Sequence, residues 1–190
     1  MQQKTLWQRF AVLFILAAIV SGCASKPSFK SSVIEPPLPA PEISLTDQNG
    51  NTFQVSAQHG KVLLLFFGFS HCTNECPLTM ANIKAALAII GDPAKDVTVA
   101  MVSTDPANDT AQSMKDFLGK FDPTFLGILG TPDQLAKAWK DYGVAVLDGG
   151  ETHSSYTYVI DRKGDQRLIF SPDTTPDDIA HDVKILLAEK

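Results

Sequence analysis

The sequence predicts an α/β fold in which helices cover both faces of a central mixed β-sheet. A near-continuous apolar run at residues 61–69 is typical of a strand buried on both sides. Short apolar segments and amphipathic segments with helical spacing alternate after it. The 190 residues, 44% of them hydrophobic and 19% charged, suffice for one domain with a core of its own.

The first half of the domain is predicted to contain a hairpin, a strand, a helix and a second strand. Two short apolar segments flank Asn49 and Gly50, a dipeptide typical of tight hairpin turns. The strand at 61–69 is followed by apolar residues three and four apart, which predict a helix ending near Ile90. The apolar run at 97–102 predicts the next buried strand.

The second half is predicted to contain two helices, a hairpin and a last helix. Residues 110–121 carry apolar side chains at helical spacing. A further helix is expected to begin at Thr131, where Gln134 completes a capping box. Two apolar segments flank the turn at 163–165, and the last helix is expected to begin at Thr175, before a proline.

The N-terminus has the features of an export signal. Lys4 and Arg9 precede an apolar run that is too short for a comfortable membrane span, so residues 1–22 are predicted to be a signal peptide. The residues before Cys23 resemble a bacterial lipobox, in which the cysteine is lipidated and becomes the first mature residue. Ordinary cleavage and an uncleaved anchor remain as alternatives.

Residues 23–41 are rich in proline and predict an extended tether of polyproline type, although a disordered leader fits as well. The globular domain is expected at 42–190.

The formal net charge of the whole chain is −5. Because the chain is acidic and has no basic run, it is a poor candidate for nucleic acid binding. Three cysteines are too few for a disulfide scaffold, and with Cys23 lipidated two remain as a pair.

That pair, Cys72 and Cys76, follows the buried strand directly and precedes a helix. Pro77 suits the first helical turn, and the free N–H groups there are expected to favour thiolates, lowering the thiol pKa from about 8.5. Thiolates are nucleophiles and soft metal ligands. The C-x3-C spacing permits a metal site or a redox-active disulfide, and a structural disulfide or two structural thiols remain as alternatives.

A third ligand is needed to complete a metal site, and His153 is the best candidate. His59 and His181 are expected on the surface, and His71 should point away from its neighbour Cys72 in extended backbone. His153 lies in a polar loop just before a strand. In a thioredoxin-like sheet that strand lies beside the cysteine-bearing strand, so its loop faces the cysteines.

Three strings carry a family resemblance: GFSHCTNECPLTM at 68–80, STDPANDT at 103–110 and HSSYTYVIDRKGD at 153–165. They resemble the Sco/SenC family, and the resemblance covers residues 42–190. It implies a thioredoxin-like fold and copper ligands Cys72, Cys76 and His153. The family usually has proline where Thr73 stands and aspartate where Thr152 stands.

The resemblance implies a membrane-tethered copper chaperone. With the lipid anchor predicted at Cys23, it is expected at the periplasmic face of the inner membrane. Its cargo would be Cu(I), Cu(II) or both, and its recipient would be the CuA site of apo cytochrome c oxidase subunit II. A thiol reductant would keep the cysteines reduced. Two alternatives stay open: a thiol–disulfide oxidoreductase in which Cys72 and Cys76 form the redox-active pair, and a copper or redox sensor. Asp105 is expected to cap a turn or to support the site.

Overall fold

The computed structural model describes residues 28–150 and 152–189. Its ten strands are β1 (Ser32–Pro39), β2 (Ser44–Asp47), β3 (Thr52–Gln54), β4 (Val62–Gly68), β5 (Val97–Ser103), β6 (Leu126–Leu129), β7 (Val146–Leu147), β8 (Thr152–His153), β9 (Thr157–Ile160) and β10 (Asp165–Phe170). The α-helices are α1 (Glu75–Ile90), α2 (Ala111–Leu118), α3 (Pro132–Asp141) and α4 (Pro176–Ala188).

Eight strands form one mixed sheet in the order β1-β10-β9-β4-β5-β6-β2-β3. Strand β4 lies near the middle, parallel to β5 and antiparallel to β9. The pairing with β5 runs from Val62 opposite Val97 to Gly68 opposite Ser103. Strands β7 and β8 form a separate two-stranded hairpin. The mixed sheet predicted from the sequence is confirmed.

Helices cover both faces of the sheet because every residue of β4 is buried. Successive side chains of a strand point to opposite faces, so β4 contributes to two separate cores. One face packs Leu64 and Phe66 against α1, α2 and α4, whose contributing residues include Met80, Ile83, Met114, Phe117, Ile179 and Val183. The other packs against α3 and the β2–β3 hairpin, with Leu63, Leu65, Phe67, Ile43, Phe53, Leu135 and Tyr142.

Capping boxes begin two of the helices, and the sequence predicted the one at Thr131. Thr131 accepts a hydrogen bond from the N–H of Gln134, and the Gln134 side chain accepts from the N–H of Thr131. Thr110 forms the same reciprocal arrangement with Ser113 at the start of α2. A cap of this kind is worth about 1 kcal/mol and fixes where each helix begins.

The structure differs from the sequence prediction in the proposed tether. Residues 32–39 are not a free linker but strand β1, which pairs antiparallel with β10 at the edge of the sheet. Prolines suit an edge strand because its outward N–H groups need no partner. The folded region therefore begins upstream of residue 42. The predicted signal peptide and Cys23 lie outside the described residues, and no helix of the described part is long and apolar enough to cross a membrane.

The segment before β1 is fixed to α4 by a buried carboxylate. Asp182 has no exposed surface, and its two carboxylate oxygens accept hydrogen bonds from the backbone N–H groups of Lys30 (2.8 Å) and Ser31 (2.9 Å). His181 Nδ1 lies 2.9 Å from the same carboxylate. Asp182 therefore determines where the chain enters the domain.

Replacing Asp182 with alanine should lower the free energy of unfolding by about 2 kcal/mol, because two backbone N–H groups lose a charged acceptor. Chemical denaturation of the domain from residue 28 onward measures the change in the free energy of unfolding. Asp177→Ala is the matched control, since Asp177 is an exposed carboxylate in the first turn of the same helix and should cost only about 0.5 kcal/mol. Equal losses in the two variants would contradict the role of the buried carboxylate.

Candidate metal centre

The two cysteines occupy different environments at the carboxyl end of β4. Cys72 lies half-buried in the loop after the strand, and Cys76 lies fully buried in the first turn of α1. Both are free thiols. The backbone N–H of Cys76 points at the sulfur of Cys72, 3.5 Å away. The start of the helix thus supplies a donor to the outer sulfur, as predicted from the position of the pair.

Cys76 packs so closely against the end of β4 that only glycine fits opposite it. A Cβ at Gly68 would lie 2.9 Å from the Cys76 sulfur and 2.6 Å from the ring of Phe66. This burial raises the pKa of the Cys76 thiol well above its usual range. The expectation that the helix start lowers the thiol pKa is therefore wrong for Cys76, because desolvation by burial outweighs the lowering effect of a backbone hydrogen bond with Phe69.

His153 lies on β8, in the hairpin that precedes β9. Because β9 runs antiparallel to β4, its amino end meets the carboxyl end of β4, where the cysteines are. The imidazole ring stands edge-on to Phe66 and Phe69, with ring centroids 6.2 and 5.8 Å away. Its Nδ1 lies 3.2 Å from the carbonyl oxygen of Ser154. With the proton on Nδ1 to make this bond, Nε2 keeps a lone pair for a metal.

Cys72 and His153 line one open cavity of about 260 Å³. Its other lining residues are Phe69, Asn74, Glu75, Thr152 and Ser155. Cys76 is not among them, because its sulfur is buried against Gly68. Within residues 28–150 and 152–189, no three His, Cys, Asp or Glu side chains are close enough together to hold a metal ion.

The donors gathered here are nevertheless of the right kind for copper. Thiolates select the soft Cu(I) ion, and imidazole suits both copper oxidation states. The half-buried Cys72 and the imidazole of His153 need only the sulfur of Cys76 to complete a three-donor set. Cys76 lies four residues after Cys72, and its backbone N–H lies 3.5 Å from the Cys72 sulfur, so the two cysteines are close neighbours at the start of α1.

A second polar cluster supports the loop before Cys72. His71, which does not line the cavity, places Nε2 3.1 Å from the carboxylate of Asp105, a residue only 1% exposed. The carboxylate of Asp105 also accepts from the backbone N–H of Asn108 at 3.3 Å and from its side-chain amide at 2.8 Å, which agrees with the predicted turn-capping role. Asp109 accepts from the N–H of Ser70 at 2.9 Å. The sequence did not predict these contacts between the loops after β4 and β5, because they depend on the parallel pairing of the two strands.

The other two histidines stay away from the cavity, as predicted. His59 is exposed in the turn before β4, at the opposite end of the strand from the cysteines. His181 lies exposed on α4 beside Asp182. Of the four histidines, the structure brings His153 to the cavity that Cys72 lines.

The central strand ends in a cysteine pair at a helix start, and a histidine lies in the hairpin that precedes the neighbouring antiparallel strand. This arrangement defines a thioredoxin-like thiol protein with a candidate metal site. Comparison with known proteins identifies the family within this class. The family model described as SCO1/SenC matches residues 35–188. The chain belongs to the SCO1/SenC family, the copper chaperones of cytochrome c oxidase assembly.

Individual relatives agree with this assignment. A SCO2-like protein of Rickettsia felis is 29% identical over 152 residues, which cover 75% of this chain and 74% of the relative. The copper-bound structure of Bradyrhizobium japonicum ScoI is 34% identical, with a TM-score of 0.71 over 77% of this chain and 98% of that one. A SCO1/SenC family lipoprotein from Bacillus anthracis is 26% identical, with a TM-score of 0.70 over 80% of this chain and 98% of that one.

In the reduced, metal-free protein, iodoacetamide should modify Cys72 more than about tenfold faster than Cys76, because each unit added to a thiol pKa removes about tenfold of its thiolate. Peptide mass spectrometry over a time course measures both rates. In the control variant Cys72→Ser the remaining cysteine of the pair should react slowly, and in Cys76→Ser it should react fast. Similar rates in the two variants would contradict the burial of Cys76.

Proposed function

We propose that this chain is a membrane-tethered, extracytoplasmic copper-binding protein that delivers copper to the CuA site of cytochrome c oxidase subunit II. Cys72, Cys76 and His153 hold the ion. The observation that carries the proposal is the cavity shared by Cys72 and His153, two residues distant in sequence that the pairing of β9 with β4 brings together. The copper-bound structure of the Bradyrhizobium japonicum relative supports copper as the cargo.

The different exposure of the two thiols suggests how the cargo is released. An incoming thiolate of the recipient can reach the half-buried Cys72 side of the site, while Cys76 is shielded beneath it. Copper then passes by stepwise ligand exchange, in which Cys72 and His153 are replaced first and Cys76 last. The ion keeps thiolate ligands throughout, so it is never released to water.

Loading requires both cysteines to be reduced. An extracytoplasmic compartment favours the disulfide, and a Cys72–Cys76 disulfide needs two electrons and two protons to return to two thiols. The proposal therefore includes a partner dithiol, which supplies the electrons by thiol–disulfide exchange and leaves as its own disulfide.

Titration with Cu(I) in competition with a chromogenic chelator tests the site. The reduced domain should bind one ion, and Cys72→Ser and His153→Ala should each weaken binding by more than about 100-fold, beyond the loss typical of residues that only support a ligand. His59→Ala is the control, since His59 is an exposed imidazole at the opposite end of β4. Unchanged affinity in His153→Ala would remove that residue from the ligand set.

One arrangement also favours a second function, thiol–disulfide exchange. A half-buried cysteine four residues before a fully buried cysteine suits a nucleophile and a resolving thiol. The thiolate of Cys72 would attack a substrate disulfide and release one substrate thiol. Cys76 would then attack the mixed disulfide, release the second thiol and leave a Cys72–Cys76 disulfide. Activity retained in His153→Ala together with lost copper binding would favour this function.

The proposed anchor is a lipid on Cys23, after removal of residues 1–22. The relative from Bacillus anthracis is described as a lipoprotein, which supports this part of the proposal. Placement at the periplasmic face of the inner membrane would bring the domain close to the oxidase.

Cys23→Ser should move the full-length protein from the membrane fraction to the soluble fraction, because stable anchoring needs the attached acyl chains. Detergent phase partitioning measures the fraction of protein in the membrane phase, and intact mass shows whether the acyl chains are attached. Cys72→Ser is the matched control and should remain in the membrane fraction with the lipid mass. A Cys23→Ser protein that stays in the membrane fraction would point to an uncleaved signal segment as the anchor.

A further inference from the structure

The hairpin that carries His153 is only loosely part of the sheet. Strands β7 and β8 have two residues each, and the pairs are Val146 with His153 and Leu147 with Thr152. They form their own two-stranded sheet, outside the hydrogen bonds of the eight-stranded one. So short a ladder does not hold the position of His153 by itself.

Several hydrogen bonds fix the shape of this hairpin without fixing its place. The N–H of Ala145 donates to Ser154 Oγ at 3.2 Å, and the N–H of Ser154 donates to the carbonyl of Ala145 at 3.1 Å. The hydroxyl of Thr152 donates to Asp148 at 3.0 Å. All of these join one residue of the segment to another, so they would survive a movement of the whole hairpin.

Two hydrogen bonds attach the segment to other parts of the described chain. At its turn, the carbonyl of Gly150 accepts from the hydroxyl of Thr104 at 3.1 Å, and a side chain at Gly150 would overlap the Thr104 carbonyl. Beyond His153, the hydroxyl of Ser155 donates to the carboxylate of Glu75. Glu75 is the first residue of α1 and directly precedes Cys76.

We propose that Glu75 and Ser155 form a latch that sets the distance between His153 and Cys72 before copper arrives. Both latch residues line the cavity shared by Cys72 and His153. A hydrogen bond to an ionised carboxylate is roughly twice as strong as a neutral one. The two latch residues are positioning residues, and their effect on copper rests on the proposed function.

The hydrogen bond of the latch connects two segments that are about 80 residues apart in the sequence. Without it, the histidine end of the hairpin is held by the ring contacts of His153 with Phe66 and Phe69, which have no directional hydrogen bond. The hairpin would then sample positions in which the imidazole is too far from Cys72, and copper binding would have to restrict it again. This cost appears as weaker binding.

The experiment removes each half of the latch and then restores it. Ser155→Ala and Glu75→Ala each delete the bond, and the double variant deletes both partners. Ser155→Thr keeps the hydroxyl, and Glu75→Gln keeps an acceptor oxygen without the charge. Ser56→Ala is the control, an exposed serine in the short helical turn before β4, away from the site.

Two readouts are measured on the reduced protein. The first is amide hydrogen exchange of residues 152–156 without metal, and the second is Cu(I) affinity by chelator competition. Each alanine variant should raise exchange in this segment and lower affinity by about tenfold, the scale seen when a partner of a metal ligand is lost. The double variant should be no worse than either single one, because the two side chains act through one bond. Ser155→Thr should recover most of both properties, and Glu75→Gln should recover about half of the loss, because its amide oxygen accepts a weaker, neutral hydrogen bond.

Unchanged exchange in Ser155→Ala, or additive effects in the double variant, would overturn the latch whether or not copper binds. Faster exchange with unchanged affinity would overturn it too, since the position of His153 would then not limit binding. A wild-type protein that binds no copper would reject the proposed function instead. The amide hydrogen exchange of residues 152–156 would then still show whether the latch exists.

Discussion

The fold and the site both depend on the complete burial of β4. A strand with no exposed residue needs apolar layers on both faces, which is why α1, α2 and α4 cover one side and α3 with the β2–β3 hairpin covers the other. Reactive polar side chains can then lie only beyond the ends of the strand. The loop that carries the cysteines begins there. Strands β5 and β9 pair with β4 on either side, so the Asp105 loop after β5 and the His153 hairpin before β9 lie at the same end of the sheet.

Much of this architecture was predictable from the sequence because its signals are local. The apolar run predicted β4, the Thr131–Gln134 pair predicted the start of α3, and the thioredoxin-like strand order correctly predicted that His153 would face the cysteine loop. Strand β1 was missed because its prolines are equally typical of a free extended linker. What distinguishes the two is pairing with β10, a contact more than a hundred residues away.

The site was less predictable at the level of side chains. Position at a helix start is visible in the sequence, but the desolvation of Cys76 against Gly68 is not, and desolvation determines the direction of its pKa shift. The contacts of His71 with Asp105 and of Ser155 with Glu75 join segments that only the folded sheet brings together. They join the loop before Cys72 to the loop after β5, and the segment after His153 to the start of α1.

The outer strands have a consequence for solubility. Unpaired strand edges offer N–H and C=O groups to other chains, and this is a common route to aggregation. Here one edge is β1, whose Pro36, Pro37 and Pro39 have no N–H to offer, and the other is β3, only three residues long. Neither edge is a good template for a further strand. Contact with another protein at the cysteine end of the domain therefore need not lead to strand pairing along the edges of the sheet.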